Sequence, residues 1–105
     1  MAAEADLQRK CVQLLRAAGL LPYRINAGVF GARKVRSAPK GWPDLCFLLP
    51  PFGTFIGIEV KSPGGEQSGD QAVIQAEIEG AGGRYAIVRS VDDLMDVLKS
   101  VGRVF

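Results

Sequence analysis

The residues of this sequence best equipped for chemistry are two carboxylates and a lysine: Asp44, Glu59 and Lys61. Thr54 to Lys61 reads as a strand, in which Phe55, Gly57, Glu59 and Lys61 share one face and Ile56, Ile58 and Val60 point to a core. Asp44 stands at the head of the apolar run Leu45 to Leu49, and the turn Pro50-Pro51-Phe52-Gly53 folds the two runs into a hairpin. The hairpin can bring Asp44 next to Glu59. Carboxylates held that close raise each other's pKa unless a cation lies between them. Hard oxygen donors that leave room for water favour magnesium or manganese over zinc. A lysine beside such an ion orients an attacking water or meets negative charge developing on a phosphate. Taken alone, Glu59 and Lys61 also read as a salt bridge on an exposed strand, which contributes little.

The residue types that are missing narrow the chemistry further. The chain has no histidine, which excludes Ser-His-Asp and Cys-His relays and an HExxH zinc site. Cys11 and Cys46 are too few and too far apart for zinc, and each lies in an apolar stretch. They are expected to be reduced, buried thiols, which suits a cytoplasmic protein. Glu4 and Asp6 stand where a signal peptide would carry basic residues, and the run Leu45 to Leu49 is far below the roughly 20 residues of a membrane span. No membrane partner is expected.

Charge is unevenly placed. Between Leu7 and Pro43 there are eight basic residues, Arg9, Lys10, Arg16, Arg24, Arg33, Lys34, Arg36 and Lys40, and no acidic one. Residues 1–61 carry a net charge of +5 and residues 62–105 carry −3. Such a division suits a polyanion-facing half, although a mixed surface can segregate in the same way. The densest part, Gly31 to Lys40, has no amphipathic period and reads as an exposed basic loop able to grip phosphates.

The elements that must position these groups are legible at low resolution. The 105 residues, 48% hydrophobic and 23% charged, are expected to form one domain over 1–105. Leu7, Cys11, Leu14, Leu15 and Ala18 recur at helical spacing, with Gly19 as the stop, and predict a helix over Ala3 to Ala18. Tyr23 to Ala27 suggests an edge strand, followed by the hairpin. Asp70 to Glu79 returns to helical spacing, Arg84 to Arg89 reads as a strand, and Ser90-Val-Asp-Asp93 resembles a capping box opening a last helix. The order α-β-β-β-α-β-α is that of an α/β fold, with a right-handed crossover inside a mixed central sheet flanked by helices.

Pro43-Asp44 followed by Glu59-Val60-Lys61 resembles the PD-(D/E)xK nuclease signature, and the element order is similar to that superfamily's restriction-endonuclease-like αβββαβ core. The closer resemblance is to the VRR-NUC branch, in its stand-alone phage and bacterial form. Glu4 in the first helix, Gly41-Trp42-Pro43-Asp44, Glu59-Val60-Lys61, Gln71 and the stretch Gly83 to Asp93 all have counterparts there. The resemblance implies that Asp44, Glu59 and the Val60 carbonyl hold Mg2+ or Mn2+, with Glu4 nearby through water. Asp6 and Gln8 lie on the same helix as alternatives to Glu4. It further implies that Lys61 activates the water and that Gln71 holds either this lysine or the substrate phosphate. Trp42 could pack against a base or sugar, or lie buried beside the hairpin.

The activity implied is that of a structure-specific DNA endonuclease acting on four-way junctions as a homodimer, with Arg33, Lys34, Arg36 and Lys40 on the DNA backbone. The first helix and the tail Val101 to Phe105 are candidate dimer surfaces. The rival expectation is a non-catalytic nucleic-acid-binding module whose acidic cluster is structural.

Overall fold

Residues 2–25, 29–30, 35–36 and 39–103 are described by the computed structural model, without the side chains of residues 2, 29–30 and 35–36. The elements run α1 (Ala2–Ala17), β1 (Tyr23–Arg24), β2 (Val29–Phe30), β3 (Val35–Arg36), β4 (Leu45–Leu49), β5 (Thr54–Val60), α2 (Gly69–Gly80), β6 (Arg84–Val88) and α3 (Val91–Ser100). Four of the strands form a mixed sheet in the order β1-β4-β5-β6. β5 lies between an antiparallel β4, with Leu45 opposite Ile58, and a parallel β6, with Val60 opposite Val88. The connection from β5 through α2 to β6 is the crossover that a parallel pair requires.

Both faces of the sheet are covered. On one, Ile56, Ile58 and Val60 of β5 and Leu45 and Phe47 of β4 pack against Cys11 and Leu15 of α1 and Leu94 and Leu98 of α3. On the other, Phe55, Tyr85 and Ile87 pack with Trp42 against Ile74 and Ile78 of α2. The face carrying Glu59 is therefore an interior one, and the reading of Glu59 and Lys61 as a pair on an exposed strand does not hold. Trp42 is half-buried and stacks at a tilt on Phe55, centroid to centroid 5.7 Å. Cys11 and Cys46 are buried free thiols, and burial pushes the Cys11 pKa up to about 11. Among the described residues no helix is long and apolar enough to cross a membrane.

The differences from the sequence expectation are local. α1 begins and ends one residue early, β5 stops at Val60, and β6 stops at Val88. The basic stretch is not wholly irregular: β2 and β3 form a two-residue ladder with Val29 opposite Arg36 and Phe30 opposite Val35. Strands that short carry no readable period, because pairing rather than side-chain alternation defines them. Arg33 and Lys34 lie outside the described residues, as do the side chain of Arg36, residues 26–27 of the proposed edge strand and residues 104–105 of the apolar tail.

Two glycines set how closely the elements approach. Gly57 in the middle of β5 lies under Pro43, whose Cγ would be 2.7 Å from any added Cβ. The residue preceding Asp44 is thus seated on the central strand. Gly41 adopts φ +93°, and a Cβ there would sit 2.5 Å from the Asp70 backbone in the first turn of α2. Gly41→Ala is expected to destabilise the protein by about 2–4 kcal/mol, combining a disfavoured backbone conformation with overpacking. Chemical denaturation should read this loss as a lower midpoint at unchanged slope.

Candidate active site

The site is built at the carboxyl end of β5, where the hairpin and the crossover meet. The β4–β5 register, carried one residue beyond Leu45 opposite Ile58, sets Asp44 against Glu59. Asp44 is held there by its own backbone and side chain. Its carbonyl accepts from the Ile25 N–H at 2.9 Å, and its Oδ2 accepts from the Val60 N–H at 2.9 Å. Glu59 is the buried charged residue of the described chain, only 5% exposed. Its Oε2 accepts from Gln71 Nε2 at 3.0 Å and lies 3.7 Å from Lys61 Nζ. Its Oε1 is buried with no hydrogen-bond partner among the described residues.

Gln71 is fixed from both ends of its amide. Ser68 is the N-cap of α2, and its hydroxyl accepts from the Gln71 N–H at 3.2 Å. Gln71 Oε1 in return accepts from the Ser68 N–H at 2.9 Å, completing a capping box. That bond orients the amide, so that Nε2 is the atom presented to Glu59. Gln71 Nε2 is thereby placed on the Glu59 carboxylate, the group that also faces Lys61 Nζ, because the crossover sets the first turn of α2 over β5.

Glu4 is brought to the same region, but its contact is with the chain leaving β5. Its Oε1 accepts from the Ser62 N–H at 3.0 Å, pinning the residue after Lys61 to α1. Of the two alternatives on this helix, Asp6 pairs with Arg9 and with Lys10 at the surface, and no hydrogen bond is found for the Gln8 side chain among the described residues. Lys40 is exposed and lies 3.5 Å from Asp70.

Burial dominates the electrostatics. It pushes the Glu59 pKa up to about 8, with the charge of Asp44 adding to the rise and Lys61 opposing it. Asp44 is also raised, again chiefly by burial, against the lowering effect of the Val60 N–H. The buried Glu59 and the half-buried Asp44 face each other beside a single lysine, so that ionising both near neutral pH calls for a further cation. Among the described residues no group of three or more His, Cys, Asp or Glu converges. The donors available to an ion are thus two carboxylates and backbone or water oxygens. Such an oxygen-only, partly hydrated set suits magnesium or manganese, and the unpartnered Glu59 Oε1 fits the role of a ligand atom.

Sequence reading overlooked two features of this region. Ser68-Gly-Asp-Gln71 is a capping-box pattern in its own right, legible in the residue order alone. Tyr85, buried on β6 with its hydroxyl unpartnered among the described residues, gave no signal, since its place depends on the β5–β6 register.

A Glu59→Gln variant keeps the acceptor used by Gln71 and offers an N–H to Asp44. A carboxyl whose folded pKa is raised loses stability as pH climbs from its unfolded value toward the folded one. The variant is therefore expected to melt with the parent near pH 4 and above it at pH 8 in chelator, by about 1–3 kcal/mol. Thermal melts across this range check the sign.

Comparison with curated proteins yields no match. A solved structure described as a VRR_NUC domain is similar in fold, with a TM-score of 0.68, 22% identity, and coverage of 93% of this chain and 95% of that one. The family model of the VRR-NUC domain matches residues 2–92, a span that contains Glu4, Asp44, Glu59, Lys61 and Gln71. With the mixed sheet, the covered carboxylate pair and this match in hand, the chain belongs to the VRR-NUC domain family, whose function is of the nuclease type.

Proposed function

We propose that this protein is a magnesium- or manganese-dependent DNA endonuclease that cuts branched DNA, four-way junctions above all, and works as a homodimer. The reading is carried by one observation: a buried Glu59 facing a half-buried Asp44, with Lys61 at the edge of the pair and Glu59 Oε1 left without a partner among the described residues. Asp44, Glu59 and the Val60 carbonyl would hold the ion, with Glu4 contributing through water. The bound ion supplies positive charge against the phosphate and makes a coordinated water more acidic.

The remaining steps belong to the chain. Lys61, partly buried beside Glu59, donates to the attacking water and meets the charge that develops on the phosphate. Gln71 fixes Glu59 Oε2 and leaves Oε1 as the oxygen that would hold the ion. Glu4 holds the Ser62 backbone and with it the exit of Lys61 from β5. Arg33, Lys34, Arg36 and Lys40 would grip the DNA backbone without reading bases.

The decisive experiment incubates labelled four-way junction and linear duplex with the purified protein in magnesium, manganese or calcium, beside Glu59→Ala and Lys61→Ala. Cleavage of the junction with magnesium or manganese is expected, together with a loss of at least about a hundredfold in either variant. Binding without any cleavage, or equal cleavage by both variants, would instead favour a non-catalytic nucleic-acid-binding module.

Dimerisation is supported by exposed apolar surface. Leu21, Tyr23 and Leu48 are 69%, 54% and 54% exposed and line one shallow cleft with Leu20 and Pro50. Light scattering is expected to give twice the chain mass for the parent and the chain mass for Leu48→Glu.

A further inference from the structure

Two side-chain polar atoms are buried without a hydrogen-bond partner among the described residues, Glu59 Oε1 and Tyr85 Oη. They lie on one face of two adjacent strands. In the parallel β5–β6 ladder Gly57 is opposite Tyr85 and Glu59 is opposite Ile87, which makes Tyr85 the diagonal neighbour of Glu59. The residue directly opposite Tyr85 is a glycine covered by the Pro43 ring, so no side chain of β5 stands between the phenol and the carboxylate. The ring is 6% exposed and packs with Ile74 and Ile78 beneath α2. Phenylalanine would satisfy that packing equally well.

The hydroxyl has a reason to be present only if something accepts from it, because a buried donor left unbonded costs stability. Burial first, and the charge of Glu59 second, push the Tyr85 pKa up to about 12, so the phenol stays protonated and remains a donor. Gln67 approaches the hydroxyl without a hydrogen bond of proper geometry, and its Nε2 is committed to Gln75 Oε1 at 2.7 Å. A water between Tyr85 Oη, the Gln67 amide and Glu59 Oε1 would have three polar partners, enough to hold it in place.

We infer that Tyr85 is a positioning residue for Glu59, its hydroxyl donating through one bridging water to the Oε1 side of the carboxylate while Gln71 Nε2 holds Oε2. Held from both sides, the carboxylate presents a fixed plane to the ion. The inference rests on the metal-nuclease reading above and adds to it a residue contributed by β6.

The test compares the parent, Tyr85→Phe and Glu59→Ala in three measurements: calorimetric titration with Mn2+ in the absence of DNA, steady-state junction cleavage, and thermal melting in chelator. For Tyr85→Phe the expected result is Mn2+ affinity and kcat each lower by about tenfold. KM for DNA should stay within about twofold, and the melting temperature should fall by no more than the few degrees expected for loss of one hydrogen bond. If Tyr85→Phe binds Mn2+ and cleaves like the parent, and melts at a higher temperature, the hydroxyl is idle and the inference is wrong. A lower melting temperature with Mn2+ affinity unchanged would make the residue merely structural and equally overturn it. Glu59→Ala separates the two levels: if it too binds Mn2+ and cleaves normally, the metal-site reading fails and takes the Tyr85 inference with it. Loss in Glu59→Ala but not in Tyr85→Phe sinks the Tyr85 inference alone.

Discussion

Burial of the Glu59 carboxylate against that of Asp44 is the constraint to which the surrounding elements answer. A carboxylate 5% exposed on the central strand is costly unless its oxygens are engaged, and each neighbouring element contributes to that end. α2 sends the Gln71 amide to Oε2, Lys61 follows β5 on the same face, and the Val60 N–H steadies the opposing Asp44. Ionising both carboxyls calls for a further positive charge, which suits the place to a divalent cation.

The crossover is what makes this arrangement possible for the backbone. β5 and β6 run parallel, and their carboxyl ends open toward the loop that leads into α2, the usual location of ligand sites in open α/β sheets. The first turn of α2 must then come down over β5. It does so against Gly41, where any Cβ would strike the Asp70 backbone, and it is capped by Ser68. One glutamine thus joins helix capping to carboxylate orientation. Loss of the cap would free the amide that meets Glu59.

The last strand and helix show the same economy. Lys61 N–H donates to the Val88 carbonyl at 3.0 Å, so the catalytic lysine proposed here is registered on β6. Arg89 sends its guanidinium to the Gly65 carbonyl at 2.7 Å, and its backbone N–H to Asp93 at the start of α3. The Asp93 N–H in turn donates to the Ser90 hydroxyl, the cap of that helix. The loop between Lys61 and α2 is consequently fastened at Ser62 by Glu4 and at Gly65 by Arg89, from opposite ends of the chain.

Much of this was legible in the residue order, because it depends on local rules. Period-two alternation over Thr54 to Lys61, the Pro-Gly turn at 50–53 and helical spacing in the first and later segments are enough to place Asp44, Glu59 and Lys61 near one another, and the lack of histidine confines their chemistry to carboxylates, lysine and a metal. The sequence could not say that the Glu59 face is covered, for that requires α2 to lie on one side of the sheet and α1 with α3 on the other. Nor could it give Gln71 its partner, or place Tyr85 beside Glu59, since a parallel register is set by a crossover whose geometry no short window contains. Chemical type was determined along the chain; protonation, orientation and enclosure were decided by packing, which brings together residues 12 to 58 positions apart at distances where burial sets the charge.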